Sequence, residues 1–341
     1  MNEFLKGILV GINSWIGNYG WSVVVFTFFI RCIILPFDYK SRVSMRKTAK
    51  IQPQLNKLQQ RYANDKDKLN QKMSELYKKE HINPLSSCLP MLLTMPILFA
   101  MFAAMRMVAN EQIVQQVLSM LQGNAPQFES WLWIKNVWMP DSPFNSALPN
   151  LAMMQQVTDV NTWTQVFTGD VLAQLQTTLP ELALTADSFT SANLQTTIST
   201  INSYLQTTSF YAESGAMSGW TFNLWITTLS VMKDWNGLFI LPVLSAGSQF
   251  LMTKLNPTQP AQTDAQGNKL PDQSQAAGTG AFMTWFFPLF SLWICSSYNG
   301  MFALYWVASN LIAMVETVAI NKYLDLKDKK QASAEAEGIV K

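Results

Sequence analysis

The sequence predicts an all-α membrane protein with five transmembrane helices. The chain has 341 residues, of which 49% are hydrophobic and only 13% are charged, about half the charged fraction of a typical soluble protein. Five apolar segments each have roughly the 20 residues needed to cross a ~30 Å hydrocarbon core. Together these segments contain 93 residues and two charged side chains, Arg31 and Glu316. The predicted spans are residues 20–37, 85–105, 237–253, 281–297 and 301–320.

Residues 1–19 are too short to cross the membrane separately from the first span. Their apolar side chains recur at helical spacing, from Phe4 and Leu5 to Trp15 and Ile16. This spacing predicts an amphipathic helix that lies on the outer surface of the membrane.

The distribution of Lys and Arg predicts the orientation of the spans. Within segment 38–84, residues Lys40 to Glu80 include twelve basic and four acidic side chains, whereas Met107 to Met232, within segment 106–236, includes one basic and eight acidic side chains. Basic loops stay in the cytoplasm, so the first segment is predicted to be cytoplasmic and the second external. The N-terminus is then outside and the C-terminus cytoplasmic.

The segments between the spans have distinct patterns. In segment 38–84, apolar residues recur every three or four positions, first from Ile51 to Tyr62 and again from Leu69 to Leu76. This spacing predicts a helical hairpin whose two apolar stripes face each other. Pro53 either kinks the first helix of the hairpin or marks a late start of that helix. The external segment is rich in Thr, Gln, Asn and Ser and is predicted to form a small, mostly helical polar subdomain. Loop 254–280 is predicted to be flexible and tail 321–341 cytoplasmic and disordered.

Arg31 is predicted to lie in the inner half of the membrane, about 16 Å along the helix from Gly20 and about 9 Å from Phe37. An arginine at that depth costs at least ~2.5 kcal/mol unless it faces water or a partner; snorkelling to the cytoplasmic surface is the alternative. Other spans offer polar groups: Ser245, Ser248 and Gln249 on span three, and Trp306, Asn310 and Glu316 on span five. These groups either join helices by hydrogen bonds or line a hydrated cavity open to the cytoplasm.

Most enzymatic chemistry is disfavoured. Cys32, Cys88 and Cys295 are far apart and His81 is the single histidine, so neither a disulfide framework nor a zinc site is supported. No Gly-rich nucleotide loop is present. We therefore expect a protein that is not an enzyme, with no cofactor, no metal and no specific nucleic-acid recognition.

Several motifs resemble the YidC/Oxa1/Alb3 family of membrane protein insertases. They are NPLSSCLPMLLTMPILFAM at 83–101, FFIRCIILPFDYKS at 28–41, SMRKTAKIQPQLNKLQQRY at 44–62, LYKKEHINPL at 76–85, WLWIKNVWMPDSPF at 131–144, LPVLSAGSQFLM at 241–252 and LYWVASNL at 304–311. The resemblance covers all five spans and the basic hairpin.

The resemblance implies a hydrophilic groove among five helices, open to the cytoplasm and lipid and closed to the outside. Arg31 matches the family's groove arginine, and Gln249 and Trp306 match groove-lining positions. The implied function is insertion and chaperoning of nascent membrane proteins in a bacterial plasma membrane. The implied partners are nascent membrane proteins, ribosomes, the Sec translocon and membrane lipids.

Two features depart from the family pattern. The family usually has a short outer segment between spans two and three, so residues at about 146–219 are expected to be an insertion whose role the family does not supply. Family members also often carry a neutral residue near the position of Glu316. If Glu316 approaches Arg31, it partly neutralises the positive charge of the groove. A secondary transporter that binds an anionic solute with Arg31, Gln249 and Glu316 is the alternative function, although the spans show no inverted repeat.

Overall fold

The structure is a computed structural model that describes residues 2–82, 89–214, 220–224, 227–255 and 276–336. It is mostly helical, as the sequence predicts. The helices in these ranges are α1 (Asn2–Ile16), α2 (Tyr19–Arg61), α3 (Lys66–Lys79), α4 (Leu89–Leu121), α5 (Leu151–Gln155), α6 (Val160–Val166), α7 (Gly169–Thr178), α8 (Leu194–Leu205), α9 (Ser209–Ser214), α10 (Ile240–Leu255), α11 (Ala276–Ser297) and α12 (Gly300–Ala336), with short 3-10 helices at Pro180–Leu182 and Ala186–Phe189. Strands β1 (Trp220–Leu224) and β2 (Thr227–Val231) form an antiparallel hairpin.

Three helical segments in the described part of the chain are long and apolar enough to cross a membrane: Tyr19–Arg61, Met95–Leu121 and Gly300–Gln331. They contain all or part of predicted spans one, two and five. Helices α10 and α11 occupy the positions of spans three and four, and α10 has 16 residues. Crossing by these two helices remains a prediction. Most of the predicted flexible loop lies outside the described residues, although α11 already begins at Ala276.

Tertiary contacts divide the chain into two compact units. The first unit comprises residues 1–26, 100–246 and 290–307, and the second comprises residues 27–99, 247–289 and 308–341.

In the first unit, the N-terminal segment forms the predicted amphipathic helix. Leu5 and Leu9 of α1 are buried, whereas Trp15 is 92% exposed. Lys6 forms an ion pair with Glu111 of α4. Gly17 ends the helix with φ +71°, a left-handed conformation that glycine adopts at helix C-termini.

Between α4 and β1, the first unit contains short helices with their own aromatic core. The rings of Trp163 and Phe167 both stack near Phe189, at centroid distances of 6.0 and 4.7 Å. The all-α prediction is wrong just after these helices, where β1 and β2 pair. The period-2 pattern of Trp220 and Phe222 with intervening polar residues is the strand signal that was available in the sequence.

In the second unit, the basic segment forms the predicted helical hairpin. Ile51 and Leu55 of α2 are buried with Ile82, and Met73 and Leu76 of α3 pack against this cluster. The two predicted stripes therefore do face each other. Helix α2 is continuous from Tyr19 to Arg61 with Pro53 inside it, so a late start of the hairpin helix at this proline is excluded.

Polar contacts join α2 and α12 in the second unit. Arg31 contacts Ser309, Arg42 contacts Thr317, and Arg46 contacts Asp325. Residue numbers increase together along both helices, so the two helices run parallel. Parallel helices that both span a membrane cross it in the same direction.

The prediction of a disordered tail is wrong for residues up to Ala336, because α12 continues that far. Arg46 forms ion pairs with Asp325 at 2.7 Å and Asp328 at 3.4 Å. Its Nη2 also donates to the carbonyl oxygen of Asn321 at 2.8 Å. The C-terminal part of α12 therefore packs against α2 through Arg46, which the composition of the tail does not predict.

Candidate functional site

Arg31 lies close to two side chains of α12, those of Ser309 and Glu316. Its Nη2 and Nε donate to the hydroxyl of Ser309 at 2.7 and 3.2 Å. Its Nη1 lies 3.9 Å from Oε2 of Glu316. The side chains of Arg31 and Glu316 are only 17% and 14% exposed. The arginine is therefore largely enclosed by protein, with a neutral hydrogen-bond acceptor and a nearby carboxylate.

Helical spacing explains why these groups meet. Ser309 and Glu316 are seven residues apart on α12, which places them two turns apart on one face. The same spacing separates Arg31 from Asp38 on α2, and Arg42 follows one turn later. Arg31 and Glu316 are conspicuous in the sequence, whereas Ser309 is not; the signal for Ser309 was its position two turns before Glu316.

Two further charged side chains interact with this pair. Asp38 interacts electrostatically with Arg31 and Arg42, and Arg42 interacts with Glu316. One nitrogen of Arg42 also donates to the buried hydroxyl of Thr317 at 2.5 Å. The four ionisable groups comprise two cations and two carboxylates. We call Arg31, Asp38, Arg42 and Glu316 the charge cluster. Its formal charges balance, so Arg31 does not act as an isolated positive charge.

Two other predicted site residues contact each other in the second unit. The side-chain amide of Asn310, on α12, donates to the hydroxyl of Ser248, on α10, at 3.1 Å. Ser248 is buried, and the neighbouring Gln249 is half-buried. Asn310 directly follows Ser309, so α12 presents adjacent polar groups to α2 and α10.

Ser245 and Trp306, the remaining predicted site residues, belong to the first unit. The buried hydroxyl of Ser245 donates to the carbonyl oxygens of Pro242 and Ser291 at 2.7 and 3.2 Å. This serine therefore joins α10 to α11, as the helix-packing alternative anticipates. The indole nitrogen of Trp306 is buried without a hydrogen-bond partner among the described residues, and its ring packs 5.5 Å from that of Phe302.

The first unit contains a buried carboxylate that the sequence patterns do not reveal. Asp141 is fully buried and accepts hydrogen bonds from the backbone amides of Phe239 and Leu241, at 3.2 and 2.7 Å. The indole of Trp133 donates to the same carboxylate at 3.2 Å. Asp141 thus caps the N-terminus of α10, where a negative charge is favoured by the helix dipole.

The approach of Asp141 to α10 requires glycine at position 237. A Cβ atom there would lie 2.0 Å from Oδ1 of Asp141, which is far inside van der Waals contact. Glycine at this position therefore allows the capping carboxylate to approach the backbone just before α10.

Comparison with known proteins identifies the family. The sequence matches the family described as "60Kd inner membrane protein", which is the YidC/Oxa1 family, over residues 11–200 and 199–329. The chain belongs to this family. The matched ranges include the residues of the charge cluster, of the hairpin and of segment 146–219.

Several relatives named "Membrane protein insertase YidC" are similar to this YidC/Oxa1 family chain. The protein of Fusobacterium nucleatum is 38% identical over 135 residues, which are 40% of this chain and 58% of the relative. That of Clostridium perfringens is 35% identical over 144 residues, or 42% of this chain and 54% of the relative. The protein of Pseudomonas entomophila is 24% identical over 326 residues, or 96% of this chain but 36% of the relative. The matches thus span less than two thirds of each of these relatives.

Proposed function

We propose that this protein inserts nascent membrane proteins into a bacterial plasma membrane and assists their folding, by means of a hydrophilic groove that contains Arg31. The observation that carries the proposal is the guanidinium of Arg31 on a long apolar helix, fixed by Ser309 of α12. Membership of the YidC/Oxa1 family supports the same function.

The cost of an arginine within a membrane supports a polar groove around it. Burying a charged side chain at the centre of a bilayer costs at least ~2.5 kcal/mol on insertion scales. Ser309, Ser248 and Asn310 supply neutral polar groups on neighbouring helices in the same unit. Such side chains form hydrogen bonds with water or with an incoming polar segment, which lipid chains cannot do. We infer that five spans enclose the groove and that it opens to the cytoplasm.

The proposed mechanism is physical rather than covalent. A client span arrives with a short polar segment that must cross the membrane, and passage of this segment through hydrocarbon is the barrier. A hydrated groove shortens the apolar path, and Arg31 attracts acidic groups of the segment at low local dielectric. The apolar client span then moves into lipid, driven by about 25 cal/mol for each Å² of apolar surface removed from water.

Charge and helix direction support the proposed orientation. We infer from its basic residues that the hairpin, α3 and the adjoining part of α2, lies in the cytoplasm with the C-terminal end of α12. The parallel course of α2 and α12 supports the same sidedness for their C-terminal ends. We propose that this face receives clients from the ribosome, alone or beside the Sec translocon, and that anionic lipid contacts its basic surface.

Reconstitution of the full chain in liposomes tests the function. A single-span client with an acidic outer tail should become protease-protected in vesicles with the wild-type chain. Arg31→Ala should reduce this protection, whereas Arg31→Lys should retain most of it because the positive charge remains. Arg106→Ala is a matched control, since Arg106 is also half-buried but donates to the carbonyl oxygen of Gln156 in the first unit. Equal protection by wild type and Arg31→Ala across several acidic clients would refute the role of Arg31.

A further inference from the structure

Glu316 lies beside Arg31 without forming a hydrogen bond to it. The separation between Nη1 of Arg31 and Oε2 of Glu316 is 3.9 Å, beyond the 2.7–3.2 Å typical of N–H···O bonds. The same guanidinium makes its two hydrogen bonds to the hydroxyl of Ser309 instead. Ser309 therefore fixes the position of the arginine, and Glu316 acts on it mainly as a charge.

The carboxylate of Glu316 is enclosed but incompletely bonded. Its Oε2 atom is buried and has no hydrogen-bond partner among the described residues. A buried carboxylate usually accepts several hydrogen bonds, and an unbonded one is costly. Its compensation here comes from the nearby cations Arg31 and Arg42. Such a carboxylate competes with any other acid for the same arginine.

We propose that Glu316 is a specificity-determining residue, an internal counter-ion that weakens the attraction of Arg31 for acidic client segments. The inference rests on the proposed function. While Glu316 is ionised, its charge offsets that of Arg31, so an acidic segment gains less from entering the groove. The residue thereby limits the preference of the groove for acidic over neutral segments.

Removal of the charge at position 316 has a defined effect on the charge cluster. In Glu316→Gln, the cluster keeps Arg31, Arg42 and Asp38, so its formal charge changes from zero to +1. The hydroxyl of Ser309 still accepts from Arg31, so the guanidinium keeps its position. The variant therefore changes the electrostatic potential at the groove while preserving its polar lining.

Clients that differ only in tail charge test this inference. Reconstituted vesicles receive single-span clients whose translocated tails carry a formal charge of −2, 0 or +2, and the initial rate of protease protection is measured. Glu316→Gln should increase the initial insertion rate of the acidic client about fivefold, the rate ratio that corresponds to ~1 kcal/mol. The neutral client should be inserted at the wild-type rate, and the basic client more slowly.

The matched control is Asp325→Asn, which removes an acid from the same helix. Asp325 pairs with Arg46 at 2.7 Å and its side chain is 62% exposed, so this change should leave the dependence on tail charge as in wild type. A purely structural role for Glu316 would instead change the rates of all three clients by the same factor. That result would overturn the inference.

The double variant Arg31→Ala with Glu316→Gln separates this inference from the proposed function. If Arg31 is the group that Glu316 offsets, the gain of the acidic client should disappear in the double variant. An effect of Arg31→Ala without any shift from Glu316→Gln would refute the inference alone. If Arg31→Ala has no effect on any client, the proposed function of Arg31 fails. Should Glu316→Gln not fold, Glu316→Asp, which withdraws the carboxylate by one methylene, should give a smaller shift of the same sign, and its absence would also refute the inference.

Discussion

The buried carboxylate of Asp141 should contribute strongly to the stability of the first unit. Its two oxygens accept from Phe239 N at 3.2 Å and Leu241 N at 2.7 Å, at the start of α10. In Asp141→Asn, an amide group replaces one of these oxygens and cannot accept from the backbone N–H that faces it. The side chain keeps its size, so the change removes charge and one acceptor without creating a cavity.

The expected loss of stability follows from these contacts. A hydrogen bond to a charged group contributes about 1.5–3 kcal/mol, and a negative charge at a helix N-terminus contributes about 0.3–1 kcal/mol. Together they give a loss of about 2–4 kcal/mol in the free energy of unfolding. For a unit of this size, the loss corresponds to a Tm lower by about 4–16 °C.

Thermal unfolding of the full chain in detergent micelles tests this value. The fraction of protein that remains monodisperse after heating is measured by size-exclusion chromatography. Asp234→Asn is the control, because Asp234 pairs with Lys135 at 2.5 Å with its side chain 31% exposed. An ion pair that is accessible to solvent contributes at most about 1 kcal/mol, so this variant should lose no more than about 4 °C. Equal Tm values for the two variants would refute the assignment of Asp141 as a strong cap.

Two further predictions concern other parts of the fold. Arg46→Ala should expose residues 321–336 to faster hydrogen exchange, because Arg46 binds both a carbonyl oxygen and acidic side chains of this segment; unchanged protection would show that other contacts hold the helix. Tyr211→Phe should lower the free energy of unfolding of the first unit by about 1–2 kcal/mol, because the buried Tyr211 hydroxyl donates to the Pro149 carbonyl oxygen. Burial raises the pKa of Tyr211, so the wild-type chain should lose this contribution as the pH rises above ~10, the ordinary value for tyrosine. Denaturant titrations at pH 8 and pH 11 should show a smaller difference between the variant and wild type at the higher pH, and a constant difference would contradict this reasoning.

Periodic patterns in the sequence were sufficient to predict the helices that bury an apolar face along their length. The stripe that includes Ile51 and Leu55 predicted the hairpin core, because a helix has a fixed period and one apolar face must be buried. The same reasoning found α1 and the long apolar helices. It missed β1 and β2, which are short and depend on pairing between strands rather than on a long period.

The candidate site was predicted only in part. The sequence identified Arg31 and Glu316 because charges within apolar segments are costly and therefore conspicuous. It did not identify Ser309, since a serine within a membrane helix is common and carries little cost. Nor did it show that Ser245 joins α10 to α11.

By itself, the sequence determined the class of protein, the positions of its long apolar helices and the concentration of basic residues between the first two spans. These properties follow from composition and period along one chain. Only the tertiary structure decided that Arg31 donates its hydrogen bonds to Ser309 and lies 3.9 Å from Glu316. Residues some 280 positions apart meet there because α2 and α12 pack side by side, and local periodicity contains no information about which helices become neighbours.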